Sequence, residues 1–385
     1  MTTKAARPNI GAIRSSFAPW NDPGTKPLVR FDGVTKRFGD QIAVDNVSLD
    51  IYEREFFALL GPSGCGKTTL MRMLAGFETP DAGRIMLGGV DLADTPPHKR
   101  PVNMMFQSYA LFPHLSVAGN IAFGLKMEGL KKVAITDRVN EMLKLVKLEA
   151  YAARMPHQLS GGQRQRVALA RAIARKPRVL LLDEPLAAWD KKLREETQFE
   201  LTDLQMELGI TFLTVTHDQD EAMVLADRIG VMDQGRIVQI GPPTEVYEAP
   251  NSRGVAEFLG DINIFEGIVE TFNSPVASLK SADGHFKVVD EDCPAGGATV
   301  WLAVRPEKMR ISPKAPPKGT ANVLAGEIWD IGYLGDWTTY IVEIGPNRLI
   351  RVAQANASRI VEHPLSWDDK VWVSFDADAG VVLTR

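Results

Sequence analysis

Apolar residues in the first two thirds of the chain follow two kinds of pattern. Short runs rich in apolar and β-branched residues predict five buried strands, at residues 28–32, 42–51, 56–60, 179–182 and 211–215. From about residue 117 to residue 174 the spacing becomes helical, as in the i, i+3, i+4, i+7 pattern that runs from Val139 to Val146. Strands that alternate with helices predict an α/β fold with a mostly parallel sheet.

The pattern changes near Gly260. Beyond it, short alternating runs are separated by turn residues, and the clearest are residues 265–269, 299–304, 326–331, 338–342 and 371–375. This spacing is typical of a small all-β barrel or sandwich, and two barrel-like halves are one interpretation of it. We therefore predict a flexible tail at residues 1–26, an α/β domain at 27–260 and a β-rich domain at 261–385.

Composition and charge exclude several classes of protein. Apolar residues make up 45% and charged residues 24% of the 385 residues, as in an ordinary globular protein. Two cysteines are too few for a disulfide scaffold, and a net charge of −4 gives no general attraction to nucleic acid. No segment is long and apolar enough to span a bilayer, and the N-terminal residues lack the apolar core of a secretion signal. The sequence thus predicts a soluble chain in a reducing compartment that binds no nucleic acid.

The loop after residues 56–60 contains a phosphate-binding motif, because it matches G-x-x-x-x-G-K-[ST] at every fixed position. Its residues are Gly61, Pro62, Ser63, Gly64, Cys65, Gly66, Lys67 and Thr68, followed by Thr69 as a further candidate contact. The glycines let successive backbone N–H groups point at a phosphate. The lysine supplies a charge near the β- and γ-phosphates, and the threonine hydroxyl suits Mg²⁺. A helix predicted around residues 70–74 adds the positive end of its dipole.

Cys65 allows two interpretations. At a helix N-terminus its thiol pKa would be lowered and the thiol would be reactive. Alternatively it is a small filler at an unspecified position of the motif, which is the interpretation we favour.

The predicted strand at residues 179–182 ends in two carboxylates, Asp183 and Glu184. A buried strand of a parallel sheet delivers its last residues to the edge where ligands bind. Asp183 is therefore a candidate for the Mg²⁺ shell, and Glu184 is a candidate for orienting or deprotonating an attacking water.

A second anion site precedes this strand. It is a glycine-rich turn at the start of a predicted helix and consists of Ser160, Gly161, Gly162 and Gln163. Two phosphate-binding surfaces in one chain lead to the hypothesis that they serve one nucleotide from two chains.

Together these motifs resemble those of ABC-type ATPases. The run from Leu159 to Gln163, placed shortly before Asp183, resembles the signature of that family. The resemblance implies ATP as the nucleotide and Mg²⁺ as the metal, with Thr68 and Gln107 as metal contacts. It also implies catalytic roles for Glu184, Gln107 and the switch residue His217, and an adenine-stacking role for Phe38.

One segment departs from the family pattern. The corresponding loop usually ends in Leu-Asp, whereas here Trp189 precedes Asp190. We hypothesise that the small residues Ala187 and Ala188 make room for the indole.

The arrangement of the chain favours one branch of the family. The chain has one phosphate loop, whereas translation-factor relatives usually have two cassettes. It has no sustained heptads, whereas the DNA-repair relatives contain a long coiled coil. Residues 304–308 resemble the motif of the OB-like (TOBE) regulatory domain that follows the cassette in some import ATPases. The stretches that most resemble polyamine importers, with the putrescine-type subunit nearest, are residues 103–114, 155–174, 263–270 and 332–336.

This resemblance implies a set of partners. They are a second copy of the chain, two transmembrane permease subunits and, indirectly, an extracytoplasmic polyamine-binding protein. It also implies a peripheral position on the cytoplasmic face of the inner membrane. Two alternatives stay open at this point: the ATPase of a sugar or iron(III) importer, and a soluble ABC-type ATPase without a membrane partner.

Overall fold

The computed structural model describes residues 17–186, 191–360 and 364–385. The chain forms two compact units, of which the first ends at Thr244 and the second begins at Glu245. Each unit has its own hydrophobic core. In the described ranges, none of the helices combines the length and the apolar composition of a bilayer-spanning segment.

The first unit contains two sheets and the helices that cover them. Its elements are β1 (Val29–Phe38), β2 (Gln41–Ile51), β3 (Phe56–Leu60), α1 (Lys67–Ala75), β4 (Ala82–Leu87), β5 (Val90–Asp91), β6 (Val102–Met105), α2 (Val117–Met127), α3 (Lys132–Leu145), α4 (Gly161–Ala174), β7 (Val179–Asp183), α5 (Lys191–Leu208), β8 (Thr211–Thr216), α6 (Gln219–Leu225), β9 (Arg228–Asp233) and β10 (Arg236–Gly241). A four-stranded antiparallel sheet has the order β2-β1-β4-β5. A six-stranded sheet has the order β10-β9-β3-β8-β7-β6, and within it only the β9–β10 pair is antiparallel.

The six-stranded sheet has a hydrophobic core on each face. Strand β7 shows the division, because Val179 and Leu181 belong to the same core as α1, whereas Leu180 and Leu182 belong to the core with α2, α3 and α4. Successive side chains of a strand point to opposite faces. Helices α1 and α4 therefore lie on opposite faces of the sheet.

The sequence predicted most of this unit. All five expected strands are confirmed as parts of β1, β2, β3, β7 and β8, and the long helical region is confirmed as α2, α3 and α4. The expectation of a mostly parallel sheet is confirmed for the six-stranded sheet. It is wrong for the first two strands, which pair with each other in the antiparallel sheet.

The second unit is mainly antiparallel β structure. Its elements are α7 (Pro243–Glu248), which starts just before the boundary, α8 (Arg253–Phe258), β11 (Asn263–Asn273), β12 (Val276–Ser281), β13 (Gly284–Val289), β14 (Thr299–Val304), β15 (Arg310–Ser312), β16 (Asn322–Tyr333), β17 (Trp337–Gly345), β18 (Arg348–Ala355), β19 (Lys370–Phe375) and β20 (Gly380–Leu383). Two five-stranded sheets have the orders β13-β12-β11-β14-β20 and β15-β19-β16-β17-β18. They share one core, in which the Phe286 ring lies 4.8 Å from the ring of Phe265 and 5.7 Å from that of Phe375.

Arg305 ties the segment before β11 to this unit. Its guanidinium is buried and donates hydrogen bonds of 3.1–3.3 Å to the carbonyls of Tyr247, Ala256, Gly260 and Asp261. It also lies 4.1 Å from the centre of the Tyr247 ring, and burial lowers its pKa. The sequence predicted a boundary after residue 260, whereas the compact units divide at residues 244 and 245. The hydrogen bonds of Arg305 explain the difference, since they bind residues 247–261 to the β-rich unit.

The described part of the N-terminal segment contacts the first unit. Pro19–Asn21 forms a 3₁₀ turn, and the Trp20 ring lies 4.7 Å from the Arg228 guanidinium. Arg228 in turn pairs at 2.7 Å with Glu55, whose pKa is raised because the carboxylate is fully buried. The turn therefore covers a buried ion pair of the first unit.

We expect the boundary at residue 245 to determine which fragments fold. Residues 245–385 should unfold cooperatively on their own. Residues 261–385 should be less stable by about 1–3 kcal/mol, because this fragment loses the Tyr247, Ala256 and Gly260 carbonyls that accept hydrogen bonds from Arg305. Urea unfolding followed by tryptophan fluorescence measures both. Equal free energies of unfolding for the two fragments would contradict this account of Arg305.

Candidate functional site

Four neighbouring parallel strands end at one edge of the six-stranded sheet. Their order is β3-β8-β7-β6, and each is followed by residues that the sequence singled out. Residues 61–66 follow β3, Gln107 follows β6, Glu184 follows β7 and His217 follows β8. Parallel strands bring their carboxyl ends to the same edge, which is where ligands bind in sheets of this kind.

The loop between β3 and α1 needs glycine at both ends of its motif. A Cβ at Gly61 would lie 2.1 Å from the carbonyl oxygen of Met232, and one at Gly66 would lie 2.2 Å from that of Ala43. Gly66 also has a φ of 106°, which L-residues rarely adopt. The loop is therefore pressed against its neighbours on one side, while Pro62, Ser63 and Gly64 are exposed on the other.

Lys67 places its charge inside this loop. Its Nζ donates hydrogen bonds to the carbonyls of Gly61 at 2.7 Å and Pro62 at 2.8 Å. Thr68 and Thr69 follow it in the first turn of α1, half-buried, with their backbone at the positive end of the helix. The backbone of the loop, the Lys67 ammonium group and the hydroxyls of Thr68 and Thr69 therefore lie together at the start of α1.

The Cys65 side chain lies behind the loop. It is buried in the core that includes α1, and burial raises the pKa of its thiol. The neighbouring Lys67 ammonium opposes this effect without overcoming it. The interpretation of Cys65 as a reactive low-pKa thiol is therefore wrong, and the residue is a small core filler.

Asp183 and Glu184 differ in their surroundings. Asp183 is the last residue of β7, and its pKa is raised by burial and by the adjacent Glu184 carboxylate. Glu184 has a φ of 46°, in the left-handed region, and its backbone N–H donates to the Val215 carbonyl at 2.9 Å. This hydrogen bond to β8 holds the Glu184 backbone in its left-handed conformation directly after β7.

Glu184 is the meeting point of three predicted residues. Gln107 Nε2 donates to Glu184 Oε2 at 2.9 Å, and His217 Nδ1 lies 3.0 Å from Glu184 Oε1. One carboxylate thus contacts a residue from each neighbouring strand. The pair is partly accessible to solvent, since 53% of the His217 side chain and 26% of the Glu184 side chain are exposed.

A buried carboxyl group behind His217 was missed in the sequence. Glu221 accepts a hydrogen bond from Thr216 Oγ1 at 2.9 Å, while its Oε1 has no hydrogen-bond partner among the described residues. Burial raises its pKa to about 8. Asp218 caps α6 by accepting from the Glu221 N–H, and Arg194 pairs with Asp218. The spacing of Asp218 and Glu221 predicts a helix start, yet nothing in the sequence indicates that Glu221 is buried.

The second predicted anion site lies elsewhere in the first unit. Ser160 caps α4, since its Oγ accepts from the Gln163 N–H at 3.3 Å and Gln163 Oε1 accepts from the Ser160 N–H at 3.0 Å. Gly161 and Gly162 form the first turn of that helix. Because α4 and α1 pack on opposite faces of the sheet, this site and the phosphate loop belong to different sides of the unit. No hydrogen bond joins them within the described ranges.

Phe38 lies at the end of the β1–β2 hairpin, opposite Gln41. Its ring is 48% exposed, with the Lys36 ammonium 5.3 Å from its centre. Farther along β2, the Ala43 carbonyl reaches Gly66 of the phosphate loop. An exposed ring on a hairpin beside this loop suits base stacking.

The residues of the unusual loop, Ala187 to Asp190, lie outside the described ranges.

A glycine cradle with an adjacent lysine, beside a strand that ends in two carboxylates, defines a P-loop nucleotide-binding protein. Family models match residues 44–187 as an ABC transporter domain and residues 302–383 as a TOBE domain. The chain belongs to the family of ABC transporter ATP-binding proteins, and its second unit contains a TOBE domain.

Curated relatives match over nearly the whole chain. The putrescine transport ATP-binding protein PotG of Escherichia coli is 51% identical, with 93% of this chain and 95% of that protein covered. The spermidine/putrescine import ATP-binding protein PotA of Rubrobacter xylanophilus is 51% identical, with 94% and 95% covered. PotA of Nitrosospira multiformis is 48% identical, with 92% and 98% covered.

Solved structures match the first unit. The ATP-binding cassette MJ0796, in a dimeric post-hydrolysis state bound to ADP and Pi, is 32% identical with a TM-score of 0.50 and covers 56% of this chain and 98% of its own. The transporter component cbiO1 of Clostridium perfringens is 32% identical with a TM-score of 0.54 and covers 57% and 90%. The expected α/β cassette followed by an OB-like domain is thus confirmed.

We expect Glu221→Gln to flatten the pH dependence of stability. The folded-state pKa of Glu221, about 8, lies above its ordinary value of 4.5, so the stability that its protonated form contributes is complete below pH 4.5 and is lost as pH rises through about 8. Glutamine does not titrate. The free energy of unfolding should therefore fall less between about pH 6 and about pH 9 in the variant than in the wild type.

Urea unfolding at both pH values measures the effect. The exposed Glu207→Gln, on α5, is the matched control and should leave the wild-type pH dependence unchanged. A Glu221→Gln protein with the wild-type dependence would contradict the burial of an unpaired carboxyl at this position.

Proposed function

We propose that this chain is the ATP-hydrolysing subunit of a polyamine importer and that putrescine is the imported solute. The observation that carries the proposal is the 51% identity, over nearly the full length of both chains, to a putrescine transport ATP-binding protein. The relatives from Rubrobacter and Nitrosospira are named for spermidine/putrescine import. Both units of the chain are included in these matches.

The phosphate loop fits the triphosphate of ATP. Gly61 and Gly66 let the loop pack closely against the Met232 and Ala43 carbonyls, Lys67 supplies the charge, and Thr68 and Thr69 lie at the start of α1. The exposed Phe38 ring suits the adenine base. The remaining loop residues are Pro62, Ser63, Gly64 and Cys65. Proline has no N–H, so the backbone donors among them belong to Ser63, Gly64 and Cys65.

The donor set also fits Mg²⁺. In the described part of the chain no lysine, arginine or histidine forms an ion pair with the Asp183 carboxylate, whose pKa is raised by burial. A cation beside it would reverse that effect. No cluster of three or more His, Cys, Asp or Glu side chains that could hold a metal occurs among the described residues, which agrees with a metal held largely by substrate phosphates. Thr68, Asp183 and Gln107 would hold the ion, and the ion would neutralise charge on the phosphates.

In the proposed reaction Glu184 acts as the base. Its carboxylate orients the attacking water and accepts the water proton, while Gln107 and His217 fix the two carboxylate oxygens at 2.9 and 3.0 Å. If His217 contacts the γ-phosphate, the imidazole ring would move away from the Glu184 carboxylate. The carboxylate then becomes a stronger proton acceptor at the moment when ATP is bound.

A homodimer would complete each site. The capped turn Ser160–Gln163 starts a helix that packs on the face of the sheet opposite to α1, and in the proposed dimer a second chain would bring this turn to the phosphate loop. Gly161 supports this, because glycine weakens a helix and, among the described residues outside its own helix turn, no atom lies within 4 Å of a Cβ built there. The close neighbour that requires a glycine would be the nucleotide bound to the partner chain.

The helical part of the first unit offers a surface for the permease subunits. Large apolar side chains are exposed on α2, on α3 and between them: Phe123, Met127, Leu130 and Val133, with exposures of 38%, 70%, 44% and 73%. Exposed apolar patches mark docking sites. Two permease subunits on this surface would keep the chain on the cytoplasmic face of the inner membrane, with a polyamine-binding protein on the other side.

Glu184→Gln should trap the dimer. We expect the variant to bind ATP and to hydrolyse it about 10²–10⁴-fold more slowly than the wild type, because the general base is lost while the cradle is intact. Size-exclusion chromatography with Mg-ATP should then show a dimer. Lys67→Ala, which removes the phosphate-binding charge, should stay monomeric. A Glu184→Gln protein that binds ATP and stays monomeric would contradict the shared site.

Uptake by cells identifies the solute. Deletion of the gene for this chain should abolish ATP-dependent uptake of labelled putrescine, and the wild-type chain but not Lys67→Ala should restore it. The chain should also sediment with membranes. Loss of maltose or iron(III) uptake instead, with putrescine uptake intact, would favour the sugar or iron alternative. A chain absent from the membrane fraction would favour a soluble ABC-type ATPase.

A further inference from the structure

Arg171 connects helix α4 to the turn that contains Gln107. Its guanidinium donates to the carbonyl of Tyr109 at 2.8 Å and to that of Ala110 at 2.7 Å, and it lies 5.4 Å from the centre of the Phe112 ring. Burial lowers its pKa, and no carboxylate forms an ion pair with it among the described residues. The half-buried guanidinium of Arg171 therefore has its hydrogen bonds to backbone carbonyls of a single loop.

That loop has a strained backbone. Tyr109 and Ala110 have φ angles of 61° and 44°, so two successive L-residues adopt the left-handed region. This conformation costs energy in every residue other than glycine and persists only where neighbouring groups hold it. The two carbonyls that Arg171 binds belong to these two residues.

The strained residues complete the turn that presents Gln107. The Tyr109 N–H donates to the Phe106 carbonyl at 2.8 Å, which makes residues 106–109 a tight turn with Gln107 as its second residue. Gln107 Nε2 then reaches Glu184 at 2.9 Å. The far end of the loop is fixed separately, because the buried Asn120 side chain binds both the N–H and the carbonyl of Phe112.

We propose that Arg171 is a positioning residue for ATP hydrolysis, which holds the turn of residues 106–110 in its left-handed form and so keeps Gln107 on Glu184. Helix α4 starts at the Ser160 cap and contains Arg171 three turns later. A displacement of the Ser160–Gln163 end by a partner chain would therefore reach Gln107 through this guanidinium. The inference rests on the proposed role of Gln107 in the ATPase site.

The geometry requires arginine at this position. A guanidinium donates two hydrogen bonds in a fixed fork, whereas an ammonium is a single point of charge. Lysine at position 171 would keep the charge and lose the simultaneous hold on both carbonyls. Arg171→Lys should therefore be intermediate between the wild type and Arg171→Met.

Steady-state ATPase kinetics of the purified full-length chain test the proposal. For Arg171→Met we expect kcat to fall about ten- to a hundredfold with little change in KM for ATP, because Gln107 is misplaced while the phosphate loop is untouched. The matched control is Arg138→Met. Arg138 also donates to two carbonyls, of Ile173 and Ala174 in the last turn of α4, but none of its hydrogen bonds reaches the Gln107 loop, and its loss should leave kcat near the wild-type value.

Two further variants separate positioning from a general structural role. In a Gln107→Ala background, Arg171→Met should lower kcat less than twofold, since the residue through which Arg171 acts is already lost. In the Arg171→Met protein, the added changes Tyr109→Gly and Ala110→Gly should recover part of kcat, because glycine adopts the left-handed form without strain.

Additive losses in the Gln107→Ala background, or no recovery with the two glycines, would overturn the proposal. If Arg171→Met fails to fold, Arg171→Lys takes its place in both comparisons. A wild-type chain that does not hydrolyse ATP would overturn the proposed function together with this inference. A wild-type chain that hydrolyses ATP no faster than the Arg171 variants would overturn the inference alone.

Discussion

The parallel pairing of β3, β8, β7 and β6 is the constraint on which the site depends. Parallel strands in register end together, so four segments far apart in the sequence meet at one edge. The β7–β8 pairing places Asp183 beside Val215, so Glu184 follows one residue after this pair on β7 and His217 follows two residues after it on β8. A slip of one residue in this register would also turn every core side chain of β7 to the wrong face.

Three of the non-glycine residues that adopt positive φ lie at the same edge. Glu184, Tyr109 and Ala110 all have left-handed φ angles, at a cost of about 1–2 kcal/mol for each residue. Each strained residue has a backbone group held by a neighbouring element: the Val215 carbonyl accepts from Glu184, and Arg171 donates to the other two. The strain is compatible with a stable fold because β8 and α4 are rigid. It also allows the Gln107 turn to respond when α4 moves.

The sequence was sufficient for features that depend on backbone chemistry or on long periodic patterns. The phosphate loop requires glycine at fixed positions, and the runs at β3, β7 and β8 are buried on both faces, so both signals are strong. The domain boundary was not predictable in the same way. The partners of Arg305 are backbone carbonyls of residues 247–261, and any sequence there would offer them.

The buried groups near the site escaped prediction for a related reason. Glu221 and Arg171 lie on helices with ordinary amphipathic spacing, and a charged residue on such a helix is usually solvated. Their environment is determined by the residues that the fold packs over them, Thr216 in one case and the Gln107 loop in the other. A pattern within one helix contains no information about those contacts.

In the proposed transport cycle, the free energy of ATP binding closes the dimer. To shift a dimer from 1:99 closed to 99:1 closed, ATP has to bind the closed form more tightly by about 5.5 kcal/mol. In the proposed dimer, the phosphate loop of one chain and the capped helix turn of the other would complete each site, so this differential affinity would arise only on closure. The same α4 helix that presents the turn holds the Gln107 loop through Arg171. Closure and alignment of the proposed base are therefore coupled by one rigid element, which would restrict hydrolysis to the closed dimer.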